Sequence, residues 1–376
     1  MRHAARKSFQ AIATAILVSA IGSPAFAQVL SEFQLPPGMA PTDIDSDSMT
    51  GDIYFLDPPT GTINLLSGGV LQQWPSLPCT LTNMDKIAVS NVLLNPAVYF
   101  TSIATNSICI LDPSTNSLSW YVLPFVVNSP RTLSIDPVGK AWFSSTPAAG
   151  PPAVASLDPV TNNIHLWVLP GMVALPGDTI DGLQFANGWL YFSVTGITNQ
   201  ICVILAPGVN PSATNCYPMP FTQPAPIRVN PAHQVYRIAG AGFNRIARLD
   251  VGASILTQWA TPNAPDIYLS PVDPPYFTSF APAVDQLIPT VAGFDTPAPP
   301  NPFSLYSDFL DASLAATIIP TGTIVPPVIN SVLINTMPPA FNVWSPTSTS
   351  GPLTIDLFGA VWISETPVAK IATFHP

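Results

Sequence analysis

The sequence predicts an all-β protein, a seven-bladed β-propeller of four-stranded antiparallel blades, and three observations carry that expectation. An aromatic strand phrase recurs along the chain, the composition favours short strands joined by rigid turns, and the two ends of the chain each carry part of one repeat unit. The 46 prolines are more than twice the usual share, and charged residues make up only 9% of the chain against roughly 25% in an average soluble protein. Proline cannot sit inside a helix or a central strand, so this much of it calls for many short strands.

The recurring phrase runs "DIYFLD" (52–57), "AVYFTS" (97–102), "KAWFSS" (140–145), "WLYFSV" (189–194), "QVYRIA" (234–239), "PPYFTS" (274–279) and "AVWISE" (360–365). Its aromatic falls at Tyr54, Tyr99, Trp142, Tyr191, Tyr236, Tyr276 and Trp362, in steps of 45, 43, 49, 45, 40 and 86 residues. A step of about 40–50 residues is the length of one four-stranded propeller blade. Each unit reads as a first strand of the type "SPRTLSIDP" (129–137), the aromatic second strand, a third strand ending "LDP" and a fourth ending "LP" or "TP". Short alternating runs punctuated by Pro, Gly, Asn and Asp are strand and turn signals.

The long last step holds "SLYSDFLDASLAATIIPTGTI" (304–324). Tyr276 to Tyr306 spans only 30 residues, too few for four strands, so the reading is seven blades with a proline-rich insertion near 290–340. An eighth, degenerate blade stays open as the alternative. The final unit, ending "KIATFHP" (370–376), has three strands and no fourth, while "SEFQLP" (31–36) has the form of the fourth strand "SWYVLP" (119–124). An N-terminal strand completing the last blade closes the ring and removes an open edge. His375 then belongs to the closing seam.

Residues 1–27 read as a signal peptide: Arg2, Arg6 and Lys7 precede an apolar core (9–22) and a small-x-small site at Ala25 and Ala27. The apolar run is short of the roughly 20 residues a spanning helix needs. Residues 28–376 are then a single propeller domain without a membrane span, periplasmic or secreted, and expected as a monomer. Removing the leader takes the 11 basic residues to 8 against 21 acidic ones, a net charge of about −13 that argues against nucleic acid as a partner. Four cysteines in an exported chain suggest two disulfides, with Cys202 paired to Cys216 across a turn-rich link and Cys79 left with Cys109. Four buried thiols are the alternative, and no CxxC spacing favours a metal.

The phrases "SPRTLSIDPVGKAWFSS" (129–145), "LDPVTNNIHLWVLP" (157–170) and "GPLTIDLFGAVWISETPVAKIATF" (351–374) resemble the repeats of the virginiamycin B lyases, or streptogramin lyases, and their exported relatives. That resemblance covers nearly the whole chain after the leader apart from the insertion. It implies a seven-bladed propeller, and an activity in which a metal ion with histidine and glutamate side chains opens a cyclic depsipeptide by elimination. It also implies a functional face, where second strands end and first strands begin. There the family's "WFTE" glutamate corresponds to Glu365, with Asp57 as a shorter counterpart; both are candidate metal ligands, and Glu365 is the candidate catalytic residue. Ser102, Ser145, Val194, Ala239 and Ser279 hold the other equivalents, and the first-strand starts Thr42, Arg131, Arg228, Asp266 and Leu353 include no histidine.

Three histidines follow the leader. His165 falls on an outer strand, His233 in a turn on the opposite face, and His375 at the seam. A general base must reach the proton it removes, and none of the three is placed to do so. The main expectation is therefore a propeller that binds a small molecule, glycan or protein at its funnel through Asp43, Asp57, Arg131, Arg228, Asp266 and Glu365. Asp178, Asp181 and Lys86 fall on the same face. A carboxylate-lined Ca²⁺ or Mg²⁺ site is compatible with these oxygens. Two other readings stay open: a metal-dependent lyase or lactone-opening enzyme with a rearranged site, and a structural role in which the insertion docks to an assembly.

Overall fold

A computed structural model describes residues 31–92, 96–124, 127–146, 151–167, 177–205, 214–219, 227–230, 233–239, 245–260, 267–268, 276–279, 283–288, 304–306, 331–335, 340–344, 352–356, 358 and 360–374. The proposed leader and His375 lie outside them.

Seven sheets form, and each expected aromatic strand is the second strand of one. Blade 1 comprises Asp43–Ser46, Ile53–Asp57, Thr62–Ser67 and Val70–Pro75. Blade 2 comprises Ile87–Ser90, Ala97–Ser102, Ser107–Asp112 and Ser117–Val122. Blade 3 comprises Leu133–Ile135, Ala141–Ser145, Ala153–Asp158 and Asn163–Trp167. Blade 4 comprises Thr179–Ala186, Trp189–Thr195, Gln200–Leu205 and Thr214–Pro218. Blade 5 begins Ile227–Val229, Gln234–Ala239, Arg245–Asp250 and Ile255–Ala260. Its outer strand is extended by Ser331–Asn335, running parallel to it, and then Ser304–Tyr306. Blade 6 comprises Ile267–Tyr268, Tyr276–Ser279, Ala283–Ile288 and Ala340–Trp344, so those two extra strands lie between its third and fourth strands in the chain. Among the described residues, Ser304–Tyr306 therefore adds to blade 5, and the strands form seven sheets.

Blade 7 comprises Leu353–Ile355, Val361–Glu365 and Lys370–Phe374, completed by the N-terminal strand Ser31–Gln34. Ser31 pairs with Thr373 and Gln34 with Lys370. The seam is held by a stack of Phe33 on Trp362 (5.8 Å between ring centres), a Lys370–Glu32 ion pair at 2.7 Å and the Leu35 N–H bonded to the Ala369 carbonyl at 2.9 Å.

The core lies between blades rather than within them, and the period-2 alternation of the second strands produces it. Tyr54 packs into the cluster shared with Ile87, Val98 and Phe100 of blade 2, whereas its neighbour Phe55 packs back against Ile371 of blade 7. Tyr99 meets Phe143 of blade 3, Trp142 meets Phe192 of blade 4, and Tyr191 meets Ile227 of blade 5. Phe55, Phe100, Phe143 and Phe192 are wholly buried, each contributing about 2–3 kcal/mol.

The "IDP" and "IDL" phrases that end first strands build a repeated turn. Asp136 accepts the Val138 and Lys140 N–H groups and the Trp142 indole N–H (3.1 Å), and Asp356 accepts those of Phe358, Ala360 and Trp362 (2.8 Å to the indole). Cys79 bonds Cys109 and Cys202 bonds Cys216, the pairing expected from the sequence. Among the described residues no helix is long and apolar enough to cross a membrane.

Candidate functional site

The first strands line a central cavity of about 450 Å³. Each is an edge strand, so every second residue turns its backbone N–H away from the sheet and toward the lumen or the next blade. The register is fixed by bonded pairs at the strand ends, Thr101 N–H to the Lys86 carbonyl (2.9 Å) and Asp136 N–H to the Lys140 carbonyl (3.0 Å). Counting alternately from these, Ile87 and Val89 of blade 2, and Leu133 and Ile135 of blade 3, turn N–H groups to the lumen side.

Cross-strand pairing with the seven aromatics identifies equivalent positions around the ring. Asp45 pairs with Tyr54, Ala88 with Tyr99, Ser134 with Trp142, Gln184 with Tyr191, Arg228 with Tyr236, Tyr268 with Tyr276 and Thr354 with Trp362. At three junctions a polar side chain at this level stitches one blade to the next. Asp45 Oδ2 accepts the Val89 N–H at 2.8 Å, Ser134 Oγ accepts that of Phe185 at 2.8 Å, and Gln184 Oε1 accepts that of Val229 at 2.7 Å. In every case the donor follows the equivalent ring residue of the next blade. One layer nearer the expected functional face, Asp43 Oδ2 accepts the Ile87 N–H at 2.8 Å while its Oδ1 holds the Lys86 ammonium at 3.3 Å.

Asp45 was not among the sequence candidates, although "TDIDSDS" places Asp43 and Asp45 two apart and so on one side of a strand. Enclosure by protein pushes its carboxyl up to about 6; Val89 and Ser46 N–H groups oppose the rise, nearby Asp43 adds to it, and the Arg228 guanidinium opposes it. Arg228 lines the same cavity, its Nη1 donating to the Ile227 carbonyl at 3.0 Å. Asp181 also lines it, on the bulge that shifts register between Ile180 and Gly182, and accepts the Thr179 hydroxyl at 2.6 Å and the Thr195 hydroxyl.

The structure thus brings Asp43, Lys86, Asp181 and Arg228 together with Asp45. It places other sequence candidates differently. Asp57 is wholly buried and ties the incoming chain, accepting the Ala40 N–H at 2.6 Å and the Thr60 hydroxyl. Ser102 and Ser145, at the same blade position, do the same work: Ser102 Oγ donates to the Thr80 carbonyl (2.7 Å) and Ser145 Oγ accepts the Asn128 N–H (3.0 Å). Glu365 holds this position in blade 7 and is also wholly buried, at the start of a single 3₁₀ turn, Thr366–Val368. Asp178 accepts the Ile197 and Thr198 N–H groups at 2.5 and 2.9 Å, in a loop so close that a Cβ on Gly196 (φ +131°) would stand 2.7 Å from its carboxylate. Arg131 stands at the start of blade 3's first strand, its N–H on Ser144 Oγ at 3.2 Å. Asp266 lies outside the described residues.

Among the described residues no three His, Cys, Asp or Glu side chains converge into a metal-binding group. His165 packs edge-on to Trp167 (4.3 Å) on blade 3's outer strand. His233 lies in the turn after blade 5's first strand, its Nδ1 2.5 Å from the Tyr191 hydroxyl and its ring 4.8 Å from that of Trp189.

Fold and site together define a seven-bladed β-propeller with a polar channel framed by inter-blade stitches. Among solved structures, the chain is similar to a streptogramin B lyase (17% identity, 94% of this chain and 99% of that one, TM-score 0.67). It is likewise similar to virginiamycin B lyase from Staphylococcus aureus (15%, 93% and 99%, TM-score 0.65) and to a catalytically inactive variant of that enzyme with quinupristin (15%, 93% and 99%, TM-score 0.67). These likenesses establish a common fold. No family model and no curated protein sequence matches the chain.

Proposed function

We propose that this protein is an exported, monomeric ligand-binding propeller that takes a small polar molecule into the channel mouth and lacks the lyase chemistry of its structural neighbours. The observation that carries this reading is the split between the two sets of polar residues. Asp43, Asp45, Lys86, Asp181 and Arg228 line a cavity of about 450 Å³, whereas Asp57 and Glu365, which the family resemblance put forward for chemistry, are buried at the ends of second strands. The volume falls within the roughly 300–1,000 Å³ of small-molecule sites, and charged groups of both signs on the wall suit a ligand with separate polar ends. The two disulfides fit an oxidising compartment, periplasmic or extracellular.

The test is incubation of the purified protein with quinupristin, with and without added Mg²⁺, followed by mass analysis, alongside a small-molecule thermal-shift screen. The expected result is no ring opening, and a ligand whose stabilisation is lost in Asp45→Asn or Arg228→Gln. Turnover abolished by Glu365→Ala would overturn this reading in favour of a metal-dependent lyase with a rearranged site.

A further inference from the structure

Among the junctions from blade 1 to blade 5, that of blades 2 and 3 lacks this stitch. Blade 1 presents Asp43 and Asp45 to the lumen N–H groups of Ile87 and Val89. The equivalent blade 2 residues are Lys86 and Ala88, which face Leu133 and Ile135 of blade 3. An ammonium only donates and a methyl group does neither, so the side chains of blade 2 offer these two N–H groups no acceptor. Leu133 and Ile135 are only half-buried, and with Lys86, Ala88 and Ser134 they line the cavity. A backbone N–H without an acceptor is costly once water is displaced, so a ligand settling here must bring oxygens of its own.

We propose that this notch is a carboxylate subsite, in which a ligand carboxylate sits on the Lys86 ammonium, which holds in blade 2 the position of Asp43, and accepts the N–H groups that the blade 2 side chains leave unmet. Asp43 shows the geometry: one carboxylate oxygen on the Lys86 ammonium (3.3 Å), the other on a lumen N–H (2.8 Å). At the notch the ligand carboxylate lies between the Lys86 ammonium and the Leu133 N–H, with Lys86 shared between it and Asp43. A second acceptor on the same molecule reaches the Ile135 N–H, two residues along the strand and roughly 6.6–6.8 Å away. The ligand class is a small organic acid with a second carbonyl or carboxylate about that far from the first. This deepens the channel-binding reading and rests on it.

Amide NMR of the full-length ¹⁵N-labelled protein, titrated with succinate and separately with uncharged succinamide, tests the subsite. Succinate is expected to shift the Leu133 and Ile135 resonances saturably, and succinamide to do so far more weakly. Lys86→Gln should weaken succinate about tenfold, the worth of one charge-assisted contact. Ala88→Asp, which installs on blade 2 the acceptor Asp45 provides on blade 1, should abolish the shift at Ile135 while leaving the fold's amide spectrum in place. Saturable shifts elsewhere in the channel, such as Val229 beside Arg228, without movement at Leu133 and Ile135 would overturn the notch and leave channel binding standing. No response to either probe at any channel amide also overturns it, and failure of the thermal-shift screen as well would remove the channel reading itself.

Discussion

Asp45 accepts the Val89 N–H across the junction of blades 1 and 2 at 2.8 Å, so a channel-lining carboxylate is also a structural bond between neighbouring sheets. Removing the acceptor leaves a half-buried donor on the channel wall to be met by water, which costs up to about 1 kcal/mol. Asp45→Ala should lower the unfolding free energy by that amount in denaturant titration, and Asp45→Asn, which keeps an acceptor oxygen, by less.

The same residue sets a pH dependence. Its carboxyl is raised from 3.8 to about 6 in the fold, so between those values the folded state binds more protons than the unfolded one. Stability therefore falls as pH rises from about 4 to 6, by at most about 3 kcal/mol from this group. Asp112 and Asp158, held low chiefly by turn hydrogen bonds, act in the opposite direction at lower pH, so the effect must be read as a difference. The gap in stability between the natural protein and Asp45→Asn should shift in favour of the variant as pH rises from 4 to 7. A gap that stays constant would refute the assignment.

At the closing seam, packing should outweigh charge. Glu32 and Lys370 form their ion pair with about a fifth of each side chain exposed, where such pairs contribute about 0–1 kcal/mol. Phe33 stacks on Trp362 and packs into the blade 7–blade 1 cluster. Phe33→Ala should destabilise by about 2–3 kcal/mol and Glu32→Gln by under about 1 kcal/mol, measured by thermal unfolding.

The two disulfides close loops of 30 and 14 residues. Loop-closure entropy assigns each about 3 kcal/mol, slightly more to the longer. Both pairs are buried in inter-blade core clusters, Cys79 and Cys109 between blades 1 and 2 and Cys202 and Cys216 between blades 3 and 4, so loop length is what separates them. Replacing Cys79 and Cys109 by Ala should therefore cost more than replacing Cys202 and Cys216, and the order of the two melting temperatures checks it.

The fold was legible because a propeller writes itself repeatedly: the aromatic that starts each inter-blade cluster returns at each blade, and "SEFQLP" could be matched to the strand missing after "KIATF". The candidate site was legible only in part. Arg228 and Asp43 were found because first-strand starts surround the channel. Asp57 occupies a position that, as at Ser102 and Ser145, anchors the incoming chain, Glu365 is buried at the same position of blade 7, and one sequence cannot say whether a carboxylate faces the lumen or a connector. Asp45 was passed over because its significance lies in a partner 44 residues away in another blade.

Ser134 and Gln184 provide the last check, because they make the same bond at successive junctions, to Phe185 and Val229. If each stitch joins only its own two blades, Ser134→Ala and Gln184→Ala should each cost about 1 kcal/mol, and the double variant their sum within about 0.5 kcal/mol. Gln184 and Phe185 are adjacent in blade 4, so a network transmitting strain around the ring would appear as a coupling larger than that. Additivity in denaturant unfolding would establish that these stitches act junction by junction, so that the junction of blades 2 and 3 can lack one without loosening its neighbours.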